Sequence, residues 1–102
     1  MATVIDITGK IKNEQKFIVY NGKNYKVDDR KNTIIKVFSV IEGANGASIE
    51  MIDKVLEELL GQEAVKDFNG FSYDDYLVPF FAAMACVQNK SYEEVEKSFR
   101  EH

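Results

Sequence analysis

Eleven consecutive residues, Leu77 to Val87, carry no charge, and the chain's single proline, Pro79, is their one interruption. No other stretch limits the possible folds so strongly. A helix crossing a membrane needs about 20 apolar residues. This run falls well short of that, and Asp74 and Asp75 on one side and Lys90 on the other close it off. Ser72 opens the segment with an S-x-x-D capping box, with Asp75 at the third helical position, which predicts a long helix beginning there. Pro79 lies about seven positions in. Its missing N–H and its ring, which crowds the carbonyl four residues back, predict a bend. Leu77, Phe80, Met84 and Val87 form one stripe, while Val78, Phe81, Ala85 and Cys86 fall off it. A helix facing a single core keeps a polar back, and this one is apolar nearly all round. It is therefore either the central helix of a bundle or a helix whose second face is covered by a partner.

The rest of the chain supplies the elements around it. Residues 16–28, KFIVYNGKNYKVD, read as a β-hairpin, two Tyr/Val/Ile/Phe-rich runs about an Asn-Gly turn signal. A four-residue loop, Asn21–Asn24, sets Tyr20 opposite Tyr25 and Ile18 opposite Val27, with all four on one face; this register is preferred to a two-residue loop. So short a hairpin must lie on helices. Residues 1–15 form an arm, either loose or carrying one short strand at Val4–Ile7. From Asp29 the period turns helical, with Ile34, Ile35, Phe38 and Ile41 recurring until Gly43. GANGAS is the clearest linker, and Ser48 is the expected N-cap of a helix from Ile49 to Leu60. Its stripe is Ile49, Ile52, Val55, Leu56, Leu59 and Leu60, and Gly61 ends it. QEAVKDF adds one or two turns before Asn69-Gly70. Ser91 caps the last helix, with Glu94 as its box partner and Tyr92, Val95 and Phe99 facing inward. The expected class is α+β and mainly helical: a hairpin (16–28) packed on four to five helices, with residues 16–102 as a single globular domain.

Composition narrows the function by exclusion. At 102 residues and 45% hydrophobic content the chain can close one core without disulfides or metals. The lone cysteine, Cys86, permits no intrachain disulfide and fits a reducing cytoplasm. The start, MATVIDITGK, has no signal-peptide pattern. The net charge of −4 divides into +3 over residues 1–47 and −7 over residues 48–102. An acidic helical half argues against nucleic acid, whose phosphates require a basic face. The asymmetry also suits a homo-oligomer in which the basic half of one copy meets the acidic half of another.

No catalytic or metal-binding constellation emerges. The only histidine, His102, is the last residue, so neither a Ser-His-Asp nor a Cys-His pair can be built. Cys86 sits in an apolar helix without a basic neighbour and reads as a small hydrophobe. The doublets Asp28-Asp29, Glu57-Glu58, Asp74-Asp75 and Glu93-Glu94 place neighbours in different directions on a helix and make no acid/base dyad, which also counts against an enzyme built on the Asp74-Asp75 region. No zinc or calcium spacing occurs, and GANG lacks the Gly-Lys-Ser/Thr of a phosphate loop. The expectation is a non-enzymatic binding protein without cofactor or metal.

An arm leads to a hairpin with NGKNYKVD; RKNTIIKVFSVIEG, IEMIDKVLEELLGQEAVKDF, the apolar helix and SYEEVEKSFR follow. Over roughly residues 16–100 this layout resembles the small tail assembly chaperones encoded by long-tailed bacteriophages and prophages of Gram-positive hosts. The likeness is one of order, length and texture rather than of a diagnostic motif. It implies a non-enzymatic protein of the bacterial host's cytoplasm that coats the tail tape measure protein, keeps it soluble and gives way as tail-tube protein polymerises. Many such chaperones are made in two lengths by a programmed ribosomal frameshift. A chaperone of amphipathic helices needs an adaptable groove of aromatics and methionine. Tyr76, Phe80, Phe81, Met84, Tyr92 and Phe99 are the candidates on this chain. The alternative is a small adaptor or regulatory module that binds one folded partner.

Overall fold

The computed structural model describes residues 2–12, 14–44, 46 and 48–100. The class is the expected one, an N-terminal hairpin followed by five helices. Strands β1 (Lys16–Tyr20) and β2 (Lys23–Val27) pair antiparallel. Helices α1 (Lys31–Gly43), α2 (Ile49–Leu60), α3 (Gln62–Asp67), α4 (Tyr73–Gln88) and α5 (Tyr92–Arg100) complete the chain. Of the two readings of the arm, Val4–Ile7 forms no strand; residues 2–12 are exposed and hold a single 3-10 turn, Thr8–Lys10.

The hairpin corrects the expected register. Tyr20 pairs with Lys23 and Ile18 with Tyr25, so the loop is the two residues Asn21-Gly22. Both take positive φ, 54° and 80°, which is the type I′ turn whose twist matches that of the strands. Ile18, Tyr20, Tyr25 and Val27 still share a face, because a register shift of two residues leaves every side chain on its own side. Tyr20 meets the rings of Phe68 and Phe71 edge-on, and Tyr25 packs on Phe68 at 5.1 Å.

Polar ties fasten the hairpin to the helices. Lys23 Nζ donates to Glu63 at 2.9 Å and to Asp67 at 2.7 Å, and the Tyr25 hydroxyl donates to the same Asp67 carboxylate. Lys16 Nζ donates to the Cys86 carbonyl at 2.7 Å, one of the carbonyls left open in the last turn of α4, and to Asn89 Oδ1. Asp28 is the junction of three elements. Its N–H donates to the Leu59 carbonyl at the end of α2, while its carboxylate accepts from Arg30 Nε, Arg30 Nη2 and Thr33 Oγ1. The Arg30 guanidinium is the main reason its carboxyl lies well below the usual carboxylate range.

The helix boundaries follow their local chemistry. Ser48 accepts from the Met51 N–H and Ser72 from the Asp75 N–H. Ser91 and Glu94 form the full reciprocal box, hydroxyl to N–H in one direction and carboxylate to N–H in the other. The α4 helix passes through Pro79 as one continuous element and ends at Asn89 in the left-handed region. Val37, Ile52, Val55, Leu56, Leu59, Phe68 and Phe81 are the deepest core side chains. Burial departs from the expected stripes at three places. α1 buries Thr33 and Val37 while Ile35 and Phe38 face outward, and Ile49 at the start of α2 is exposed.

Candidate functional site

α4 packs against α2, α5 and both strands, whereas α1 packs chiefly on α2. Between α1 and α5 this leaves a cleft of about 600 Å³. One wall is Phe38 and Ile41 of α1; the other is Val95, Ser98 and Phe99 of α5. The floor is Met51 of α2 with Tyr73, Phe80, Met84 and Gln88 of α4. Gln88, Ser98 and the hydroxyl of Tyr73 are the polar side-chain groups of its lining. A five-residue linker, 44–48, separates α1 from α2, and the turn at Ser91 lays α5 back along α4 on Phe81 and Phe80. Phe99 meets Phe81 at 5.0 Å and Phe80 at 5.9 Å, both edge-on.

The six candidate residues divide by location. Phe80, Met84 and Phe99 line the cleft, Phe80 and Met84 as buried core side chains that are each 5% exposed and Phe99 as a half-buried one. Phe81 is fully buried beneath α5, with Tyr92 edge-on at 5.8 Å and the Arg100 guanidinium over its ring. That side of the apolar helix is thus covered within the monomer. Tyr92 is half-buried on Phe81, and Tyr76 is buried with its hydroxyl donating to the Asp53 carboxylate. Burial first, and Asp53 second, push the Tyr76 hydroxyl far up, so it stays a protonated donor. Phe38, Ile41, Met51, Tyr73 and Val95 also border the cleft and were not among the candidates. Phe38 carries a sequence signal, since Ile35 and Phe38 form a second apolar stripe on α1 beyond the one it needs for α2.

A recess of about 620 Å³ where β2 meets the end of α2 is of another kind. It is bordered by Glu14, Lys26, Asp28, Arg30, Glu57 and Glu58, and its Asp28 and Arg30 already pair with one another. Among the described residues no group of three His, Cys, Asp or Glu side chains could hold a metal ion, and no buried polar side-chain atom lacks a partner. His102 lies outside the described residues. Burial pushes the Cys86 thiol up, away from the thiolate. Among the described residues no helix is long and apolar enough to cross a membrane. What the geometry offers chemically is an apolar contact surface of aromatic and thioether side chains. No family model, curated protein or solved structure matches the chain.

Proposed function

We propose that this chain is a stoichiometric, non-enzymatic binding protein of the bacterial host's cytoplasm. In this reading it holds an amphipathic client helix in the α1–α5 cleft and acts as a phage tail assembly chaperone toward the tape measure protein. The cleft is the observation that carries the proposal. Its walls are helices, its floor is closed by the buried Met51, Phe80 and Met84, and Phe38 and Tyr73 stand exposed at its rim. A client helix would seat the i, i+3, i+4 and i+7 positions of its apolar face there. The layout of the sequence supplies the client: a long tail protein that must be kept soluble until tail-tube protein replaces the chaperone.

Co-expression with the tape measure protein tests this. Phe38 is 41% exposed on the cleft wall, and Val78 is 47% exposed on α4 outside it. Both can take a charge without opening the core. Phe38→Asp is expected to leave the far-UV spectrum unchanged and the tape measure protein insoluble, while Val78→Asp keeps it in solution. Full solubilisation by folded Phe38→Asp would overturn the assignment of the cleft. An insoluble tape measure protein beside the wild-type chain, with one folded partner copurifying at one to one, would favour the adaptor reading instead.

A further inference from the structure

The hairpin has an open edge, and the chain carries a segment suited to it. In a two-residue hairpin the pair flanking the turn, here Tyr20 and Lys23, exchanges both hydrogen bonds, and pairs alternate from there. Phe17 and Val19 therefore point their N–H and C=O groups away from β2. None of these groups bonds to another described element. Their side chains lie on the outer face, and Val19 is 67% exposed. An edge of this kind accepts an added strand. The arm has the matching composition, Thr3-Val4-Ile5-Asp6-Ile7, mostly β-branched. It extends without covering its apolar groups, with Val4 86% and Ile5 72% exposed. The molecule measures 60 Å against 33 and 24 Å across, with a radius of gyration of 15.8 Å where a compact chain of this length has about 13 Å.

We propose that two copies of the chain assemble by arm exchange, residues 3–7 of each adding as a third, antiparallel strand along the β1 edge of the other. The register follows from pattern and charge. Ile5 opposite Phe17 and Thr3 opposite Val19 use the open backbone groups and cover both exposed side chains. The same register sets Val4 beside Ile18 and Asp6 opposite Lys16. Lys16 is the cation already held at the end of α4 and 3.6 Å from Asp29. The turn in which Asp6 Oδ1 accepts from the Thr8 N–H then ends the added strand. The second copy is the occupant because residues 2–12 are all exposed and bury nothing against their own chain, and because a reciprocal exchange closes as a two-fold dimer that caps both open edges.

Three full-length variants test the exchange. By light scattering the wild type is expected to be a dimer in the micromolar range. Val19→Pro removes an N–H that points outward, so the hairpin ladder stays intact and the dimer is lost with an unchanged helical spectrum. Ile5→Asp, in a segment that covers nothing in the monomer, is expected to give the same monomer. Ile5→Cys with Phe17→Cys in a Cys86→Ser background places two sulfurs across a strand pair with Cα atoms about 5.5 Å apart, within disulfide reach. Oxidation is expected to give a covalent dimer on a non-reducing gel. A monomeric wild type, a cross-link closed within one chain, or a dimer that survives both Val19→Pro and Ile5→Asp would each overturn the proposal.

Discussion

Phe81→Ala separates the core from the cleft most directly. The ring is 0% exposed and touches three others, Phe99 at 5.0 Å, Tyr92 at 5.8 Å and Phe80 at 5.9 Å. Truncating a fully buried Phe costs about 3–5 kcal/mol from lost transfer energy and the cavity that remains. Losing edge-on ring pairs moves the expected value toward the top of that range, because each is worth about 0.5–1.5 kcal/mol beyond its area. The Arg100 guanidinium 5.9 Å from the ring centre adds little at an exposed site. A destabilisation of about 4 kcal/mol is a large share of the roughly 5–15 kcal/mol available to a domain of this size. With a urea slope of about 2 kcal/mol per molar, the unfolding midpoint falls by about 2 M. Urea titrations followed by far-UV and near-UV dichroism should show that shift as one cooperative transition. A loss below about 1 kcal/mol would mean that α5 does not cover α4 in solution, since Tyr92 and Phe99 of α5 pack directly on the Phe81 ring.

Other consequences follow from single contacts. Asp28→Asn should cost about 1 kcal/mol, because it exchanges a charged acceptor of three side-chain donors for a neutral one while the largely exposed Arg30 limits the gain from charge. The folded pKa of Asp28 is depressed, so its contribution is present above the unfolded value of about 3.9 and is lost as pH falls through the folded value. Unfolding midpoints of wild type and Asp28→Asn, measured from neutral pH downward, should therefore converge below about pH 4. Gly22→Ala places a Cβ at φ 80° and should lower stability by about 1–2 kcal/mol by thermal denaturation, with the α-helical signal retained below the transition. Tyr76→Phe removes the donor to Asp53 and should cost about 1–2 kcal/mol by urea unfolding; an unchanged midpoint would show that water replaces the contact.

Much of the architecture was legible because it is written in local chemistry. Ser48, Ser72 and Ser91 cap the helices they announce, since a hydroxyl beside free N–H groups has few better uses. Asn21-Gly22 marks the turn, yet the register depended on something the apolar pattern does not record. Loops of two and four residues put the same side chains on the helical face, and only the positive φ of both turn residues distinguishes them. The burial of α1 was ambiguous for a related reason. Ile34, Val37 and Ile41 form one stripe and Ile35 and Phe38 another, and which one packs on α2 is a tertiary decision. The cleft was half legible. Phe80, Met84 and Phe99 were recognised by type, but Met51 and Phe38 belong to it only because α1 and α5 stand apart, and no local signal encodes that separation.

The all-round apolarity of Leu77–Val87 admits a structural account that also bears on function. Its residues divide among the surrounding elements rather than facing one core. Phe81 lies beneath α5, Tyr76 on α4 reaches across to Asp53 of α2, and the carbonyl of Cys86 receives Lys16 of the hairpin. Phe80 and Met84 look into the cleft, and Val78 is the one large apolar side chain of α4's central run that stands exposed. Other elements of the chain thus cover most of the helix, the α1 and α5 walls of the cleft flank one side, and Val78 faces solvent outside it. Phe80 and Met84 are core side chains, each 5% exposed, so the area a bound helix would cover lies chiefly on Phe38 and Tyr73 at the rim of the cleft. The hairpin edge presents its unused hydrogen bonds on β1, outside the cleft. Occupation of the cleft and pairing of copies therefore draw on separate surfaces, so Val19→Pro should abolish the dimer while sparing the client, and Phe38→Asp should do the reverse.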